Sequence, residues 1–139
     1  MTPLDYALRY ASFGWPVLPV RRNKKPLGGN GFDHATTDDA TIRDWFTRWP
    51  GANIGIALSP AGLAAIDIDP RNGGSLEAVK LSIEDTLSAQ TGGGGWHLLM
   101  RIRPGARVPD DLGPGIDIKY HGYIVAEPSV HESGRLYGW

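Results

Sequence analysis

The stretch LAAIDIDPRNGG, residues 63–74, ends an apolar run on two carboxylates, Asp67 and Asp69. It predicts a β-strand, in which side chains two positions apart share a face, so that Asp67 and Asp69 point one way while Ile66 and Ile68 pack behind. The α-carbons of the two aspartates would lie about 6 to 7 Å apart. Converging carboxylates can hold two divalent cations about 3.5 to 4 Å apart. Taken alone, the pattern fits equally a solvated strand end that leads into a turn.

Length, composition and charge narrow the classes of protein to which the chain can belong. Its 139 residues, 41% of them hydrophobic, are enough for one domain with a core. No long apolar run and no signal-peptide pattern is present, so we expect a cytoplasmic protein with no membrane partner. The absence of cysteine excludes disulfides, thiolate zinc sites and thiol nucleophiles. A net charge of −1 argues against coating nucleic acid by bulk charge alone.

The first half of the chain carries signals for two helices and two strands. Thr2, Pro3 and Asp5 are typical of a helix start, and Gly14 is typical of a helix end. Apolar residues at spacings of three, four and seven indicate a second helix, which Pro50 ends. The predicted elements are a helix over 2–14, an edge strand over 15–20, an exposed basic loop over 21–31, a helix over 38–49, and a strand over 52–59 followed by a turn at Pro60 and Gly62.

The second half predicts the order strand, helix, strand, strand. After the strand at 63–69, Ser75 is a candidate helix cap for an amphipathic helix. Its apolar stripe consists of Leu76, Val79, Ile83 and Leu87. Further strands, each bounded by glycine or proline, are expected over 96–103, 115–119 and 122–130. No long polar linker separates the two halves, so we expect them to share an interface.

Two of these later strands carry further polar candidates. In the strand over 115–119, Asp117 and Lys119 share a face and supply a third acid. In the strand over 96–103, His97 and Arg101 share a face, and His97 follows a run of four glycines at 92–95. Glycine backbone N–H groups with a nearby histidine or arginine can bind a phosphate. The alternative is a hairpin loop beside a partly buried histidine.

These motifs, taken in order, cover almost the whole chain and are similar to those of a known family. The sequence resembles the bifunctional primase-polymerase domain of the archaeo-eukaryotic primase superfamily, which occurs in phage, plasmid and prophage replication proteins. The resemblance implies metal-binding acids at Asp67, Asp69 and Asp117, and a histidine at the nucleotide phosphates, His97. The motifs that carry it are ALRYASFGWPVLPV, KKPLGG, GFDHATTDDATIRDWFTRWPGANIGIAL, GLAAIDIDPRNGG, TGGGGWHLLMR, GIDIK and GYIVAEPSVHESGRLYGW.

The resemblance also implies a fold. We expect an α/β chain of the α+β type with the archaeo-eukaryotic primase fold. An N-terminal α/β lobe over about 1–58 would pack on a catalytic lobe, related to the RNA-recognition motif, over about 59–139. The site would lie in the cleft between them. The sequence departs from the family pattern at Gly95, where serine is frequent, at Lys119, where arginine is common, and at Glu127, where proline often stands.

The activity implied is template-directed nucleotidyl transfer, meaning primer synthesis and primer extension on single-stranded DNA with ribonucleotides or deoxyribonucleotides. Two ions, Mg²⁺ or Mn²⁺, would be bound by carboxylate oxygens. Relatives usually continue into a helicase, so a helicase domain C-terminal to this chain is a candidate partner. The protein would act in a bacterium or in a phage-infected host. Candidate contacts to the triphosphate or the template backbone are Lys24, Lys25, Arg101, Lys119 and Ser129.

Two other functions stay open. A non-catalytic module that binds single-stranded nucleic acid would use stacking aromatic and basic side chains, but three convergent acids would repel its phosphates. A metal-dependent nuclease could use the same acids, because two-metal chemistry serves hydrolysis as well as transfer. The products distinguish the two enzymes, since a nuclease shortens strands and a polymerase lengthens them.

Overall fold

Helices and two antiparallel sheets make up the computed structural model, which describes residues 1–28, 31–74, 88–90, 95–103, 105–130 and 137–139. The described helices are α1 (Pro3–Ser12), α2 (Asp39–Arg48) and the short α3 (Leu58–Ala61), with 3₁₀ turns at Gly31–His34 and Pro70–Asn72. None of the helices in these segments is long and apolar enough to cross a membrane.

The strands form one sheet of three and one sheet of five. The first sheet has the order β1-β2-β8 and the second has the order β4-β5-β3-β7-β6, with every described pairing antiparallel. This mixture of helices and antiparallel sheets confirms the α+β class. The strands are β1 (Val17–Val20), β2 (Asn53–Ala57), β3 (Leu63–Ile68), β4 (Ser88–Gln90), β5 (Trp96–Arg101), β6 (Asp111–Gly113), β7 (Ile116–Lys119) and β8 (Tyr123–Ala126).

Both predicted N-terminal helices are confirmed, and their ends follow from local hydrogen bonds. The Thr2 hydroxyl accepts from the Asp5 N–H at 3.2 Å, and the Asp5 carboxylate accepts from the Thr2 N–H at 2.8 Å, so α1 begins with a capping box. At the start of α2, Asp38 accepts from the Thr41 N–H at 3.0 Å. Both helices bury their apolar faces against the first sheet.

The first sheet combines strands from both ends of the chain. As predicted from its prolines, β1 lies at an edge, while β8 pairs with β2 in the register Ile54↔Ala126. The segment 115–126 therefore crosses from the second sheet to the first. A strand from the predicted catalytic lobe thus completes the sheet of the predicted N-terminal lobe, and the division of the chain near residue 58 stays a prediction.

The second sheet separates two apolar clusters, one on each face. Leu63 and Ala65 of β3 and Leu99 of β5 join the core that also contains α1, α2 and the first sheet. On the opposite face, Ile66 and Ile68 pack with Leu98, Ile116 and neighbouring apolar side chains. The predicted alternation of β3, β5 and β7 is therefore confirmed, and it fixes the face of the sheet on which the polar candidates lie.

Some sequence-based expectations differ from the structure or fall outside it. The predicted turn at Pro60 and Gly62 is a short helix, α3, which ends at Gly62 with a positive φ of 70°. The strands β4 and β6 were not predicted, because three residues give too short a pattern. The predicted helix over 75–87 and most of the glycine run at 92–95 lie outside the described residues.

A buried tyrosine joins the N-terminal helix to the end of the chain. The Tyr10 hydroxyl donates to the Glu127 carbonyl at 2.7 Å and accepts from Trp139 Nε1 at 2.8 Å. Burial raises the pKa of Tyr10 to about 12, while the hydrogen bond from Trp139 opposes that rise. Because Glu127 directly follows β8, these two bonds help to fasten that strand and the C-terminus to α1.

Replacing Tyr10 tests this connection. Tyr10→Phe leaves the Glu127 carbonyl and the Trp139 indole without their partner, so we expect the free energy of unfolding to fall by about 1 to 3 kcal/mol. Urea denaturation followed by tryptophan fluorescence measures the change. Tyr6→Phe is the matched control, because the Tyr6 hydroxyl has no hydrogen bond within the described segments. Equal losses in the two variants would contradict the assignment.

Candidate functional site

A cavity of about 250 Å³ is lined by β3, β5 and β7 of the second sheet, by β8 of the first, and by the loop after β1. Its charged and polar lining contains two acids and four basic side chains. These are Asp67, Asp69, Lys24, Arg71, His97 and Lys119. The rest of its wall is largely apolar or aromatic and includes Tyr123, Val125 and Tyr137. The cavity therefore has a charged part and a part suited to an uncharged ring.

Strand register brings two of the three predicted acids and the histidine into one row across the second sheet. Asp67 on β3 lies opposite His97 on β5 and opposite Asp117 on β7. Directly opposed residues of antiparallel strands have β-carbons about 4.5 to 5.5 Å apart and share a face. The row therefore follows from alternation within each strand together with the antiparallel register between strands.

Asp67 is half-buried and held between two basic groups. His97 Nε2 lies 3.3 Å from Asp67 Oδ1, and Lys119 Nζ lies 3.5 Å from Asp67 Oδ2. Burial alone would raise the pKa of this carboxyl, but the hydrogen bond and charge of His97, with the ammonium of Lys119, outweigh it and hold the pKa below its usual value. Asp67 is thus ionised at neutral pH.

His97 lies beside the acids, as the sequence suggested, but it is buried rather than exposed at the cavity mouth. Its side chain is 8% exposed. Its Nε2 contacts Asp67, and its Nδ1 is buried without a hydrogen-bond partner in the part of the chain that the structure describes. Most buried polar atoms in folded proteins have a hydrogen-bond partner, so this nitrogen is unusual.

Asp69 lies just beyond the end of β3 and caps the 3₁₀ turn Pro70–Asn72. Its Oδ1 accepts from the Arg71 backbone N–H at 3.0 Å and from Arg71 Nε at 3.2 Å. Its Oδ2 accepts from Asn72 Nδ2 at 2.9 Å. The Arg71 side chain is the main reason that the pKa of Asp69 lies below its usual value. Both cavity acids therefore carry negative charge balanced by a basic neighbour.

Two glycines fix the backbone at Asp69. The Asp69 N–H donates to the Gly115 carbonyl at 2.8 Å, and the Gly74 N–H donates to the Asp69 carbonyl at 2.9 Å. A β-carbon on Gly115 would lie 2.2 Å from the Gly74 nitrogen, and Gly115 has a positive φ of 70°. No side chain fits at this crossing, so the pair of glycines holds the loop after β3 against the start of β7.

The remaining sequence candidates lie at varying distances from the cavity. Lys24 lines it, and the Lys24 carbonyl accepts a hydrogen bond from the Tyr123 hydroxyl. Lys25 is exposed and does not line it. Arg101 lies opposite Leu63, at the far end of β5 from His97, which places it about 13 Å along the strand.

Ser129 and Asp117 also lie off the cavity wall. Ser129 is buried, and its hydroxyl accepts from the Ile54 N–H of β2 at 2.8 Å, so its contact is with the first sheet. Asp117 is exposed and does not line the cavity, although it lies opposite Asp67. Within the described segments, no three acids or histidines are close enough together to hold one metal ion.

The donor chemistry nevertheless suits a hard divalent cation. Mg²⁺ and Mn²⁺ prefer oxygen ligands, and this cavity contains two ionised carboxylates, one on β3 and one just beyond its end. Each carboxylate has basic neighbours whose positive charge a cation would have to replace. Asp67 and Asp69 therefore fit such an ion in ligand type and charge.

Sequence reasoning missed several contributors to this site, among them the aromatic lining, one arginine and two glycines. Arg71 was overlooked because an arginine in a turn after a strand usually points into solvent. Gly74 and Gly115 were overlooked because their partnership depends on a contact between distant segments. The RNGG and GPGID stretches did contain a signal, since paired or flanking glycines at strand ends often mark a close backbone approach.

Comparison with known proteins agrees with the motif resemblance. A family model described as bifunctional DNA primase/polymerase, N-terminal, matches residues 7–139. A search of curated proteins found no match. The matched range includes every residue that lines the cavity, and the resemblance inferred from the sequence is confirmed.

A glycine substitution tests the backbone crossing at Asp69. We expect Gly115→Ala to lower the free energy of unfolding by more than the roughly 1 to 3 kcal/mol that a left-handed backbone costs a non-glycine residue, because its β-carbon also meets the Gly74 backbone. Gly14→Ala is the control, since Gly14 has a φ of 81° and nothing within 4 Å of its β-carbon position. Chemical denaturation compares them, and equal losses would refute the close crossing.

The lowered pKa of Asp67 gives a pH-dependent prediction. Its ionised form contributes stability above its usual value of 3.8, and this contribution disappears as the pH falls below 3.8 through the lower folded value. The difference in unfolding free energy between the wild type and Asp67→Asn should therefore be largest at pH 6 and shrink by pH 3. Urea denaturation at pH 6, 4 and 3 measures it, and a difference that does not change with pH would contradict the ionised pairing.

Proposed function

The chain belongs to the bifunctional DNA primase/polymerase family, and we propose that it joins nucleotides on a single-stranded DNA template by a two-metal mechanism. Its substrates are DNA and nucleotides. The observation that carries the proposal is the shared cavity, where the ionised carboxylates of Asp67, on β3, and Asp69, just beyond its end, lie among four basic side chains. Nucleotidyl transfer needs both signs of charge in one site, because the metal ions bind to carboxylate side chains and the triphosphate binds to basic side chains.

Asp67 and Asp69 would hold the ions, Mg²⁺ or Mn²⁺, with Asp117 as a third ligand. When bound, such ions activate the primer 3′ oxygen and stabilise charge on the leaving pyrophosphate. Asp117 lies opposite Asp67 on the neighbouring strand and is exposed, so a change of rotamer can turn its carboxylate toward Asp67 without moving the backbone.

The basic groups of the cavity bind and orient the triphosphate. Lys119 and Lys24 line the charged part of the wall and can make charge-assisted hydrogen bonds to phosphate oxygens. His97 is a positioning group at the same place, because its imidazole lines the cavity and contacts Asp67.

The aromatic part of the cavity suits the nucleoside. Tyr123 and Tyr137 lie on the wall with Val125, beside the basic groups. Bases stack on aromatic rings with little regard to sequence, which a template-directed enzyme requires, because pairing with the template makes the selection. The base would bind this aromatic part, next to the charged part that would bind the triphosphate.

Several finer features belong to the same proposal. We assign the arrangement to the archaeo-eukaryotic primase fold, with a catalytic lobe related to the RNA-recognition motif. Arg101 and Lys25, which are exposed away from the cavity, are candidates for contacts to the template backbone. Ser129, which lies beside β2, stays a candidate for a contact to the triphosphate or the template backbone. A role in phage or plasmid replication, with a helicase domain C-terminal to this chain, accompanies this assignment.

Primer extension with substituted acids tests the proposal. Asp67→Asn, Asp69→Asn and Asp117→Asn each remove a negatively charged ligand with little change in volume. We expect extension of a labelled primer with Mn²⁺ to fall by more than about 100-fold in each, since even partners outside the first ligand shell are worth 10- to 100-fold. Asp110→Asn, an exposed acid near the same strands, is the control and should keep full activity.

The products and the melting curves decide between the functions. Longer strands that require a divalent cation support nucleotidyl transfer. Shorter strands would identify a nuclease, and DNA binding that is indifferent to metal and to all three acids would identify a non-catalytic binding module. Loss of cooperative melting in the aspartate variants would assign those residues a structural role instead.

A further inference from the structure

Arg71 lines the cavity and forms an ion pair with Asp69, one of the acids of the site. Its side chain is 75% exposed, and it lines the cavity beside Asp69. Its Nε lies 3.2 Å from Asp69 Oδ1, and its terminal Nη2 lies 3.5 Å from Asp69 Oδ2. The guanidinium thus covers both oxygens of a carboxylate that the proposed function assigns to a divalent cation.

The two cations compete for the same oxygens. A divalent ion on Asp69 would lie beside the guanidinium, and the repulsion between them favours release of the more weakly held group. An exposed arginine–carboxylate pair contributes little to stability, so the guanidinium leaves at small cost. The Arg71 backbone N–H and Asn72 Nδ2 also bind the carboxylate, at 3.0 Å and 2.9 Å, and do not depend on the guanidinium. Asp69 therefore stays oriented after the arginine leaves.

The released guanidinium stays close to the place where phosphates would bind. Its backbone lies in the 3₁₀ turn Pro70–Asn72 beside the cavity, so the released side chain can still reach the cavity. The planar guanidinium matches two phosphate oxygens at once, which the ammonium groups of Lys24 and Lys119 cannot do. Its charge, no longer balanced by Asp69, adds to the attraction for a triphosphate.

We propose that Arg71 is a phosphate-binding residue that is held on Asp69 until a divalent cation takes that carboxylate. Metal binding and nucleotide binding are then coupled through one side chain, because the ion both occupies Asp69 and frees the arginine. This inference rests on the proposed function. It adds a nucleotide-binding residue and an order of events, with the ion at Asp69 preceding tight binding of the triphosphate.

Opposite changes in two affinities test the coupling. In Arg71→Gln, the competitor for Asp69 is gone, so Mn²⁺ affinity measured without nucleotide by electron paramagnetic resonance should rise about two- to fivefold, as expected for loss of an exposed ion pair. Affinity for a fluorescent ATP analogue in saturating Mn²⁺ should fall tenfold or more, as expected for a lost contact to a charged group. Arg71→Lys should recover only part of the nucleotide affinity.

Arg48→Gln is the matched control. Arg48 is 59% exposed and pairs with Asp44 at 2.8 Å, so its substitution removes the same kind of ion pair away from the cavity and should change neither affinity. Unchanged or weaker Mn²⁺ binding in Arg71→Gln, or unchanged nucleotide binding, would overturn the inference while leaving the proposed function intact. Two results would overturn the inference and the proposed function together. One is a wild-type protein that binds neither Mn²⁺ nor nucleotide, and the other is an Asp69→Asn variant that binds both as well as the wild type does.

Discussion

The half-buried carboxylate of Asp67 is the constraint on which the site depends. A charge withdrawn from water needs compensation, and here the compensation comes from His97 and Lys119 on the two strands that flank β3. Strand pairing alone delivers both partners, because β3 is the centre of its sheet. The same face of β3 carries Ala65 into the core shared by the two sheets, so the cavity begins where that apolar contact ends. One face of β3 therefore contributes both to the core, through Ala65, and to the site, through Asp67.

Much of this could be predicted from sequence, for a physical reason. Alternation along a strand is a local property, so it placed Asp67 and Asp69 on one face and Ile66 and Ile68 on the other. Helix α1 was predictable at both ends, because capping depends on residues three apart. The family was recognisable because many ordered motifs agree, and the family model matches residues 7–139.

What the sequence could not provide depends on contacts between distant segments. Nothing in the sequence near 123–126 indicates that β8 pairs with β2 of the first sheet and not with a strand of the second, because strand-forming residues can pair at the edge of either sheet. The crossing of Gly74 and Gly115 and the burial of Ser129 likewise follow from register and packing. Basic residues were the hardest to place. Lys24 and Lys25 are neighbours in sequence, yet only Lys24 lines the cavity, and Arg71 reaches the site from a turn.

The central claim is that Asp67 and Asp69 hold a divalent cation together, and crystallography with manganese tests it most directly. Crystals of the chain grown with Mn²⁺ and a non-hydrolysable nucleoside triphosphate would give an anomalous difference map in which the metal alone stands out. We expect a peak in coordinating contact with the carboxylates of both residues, beside the triphosphate. A bound nucleotide with no peak at these carboxylates, or a peak held by other residues, would contradict the claim.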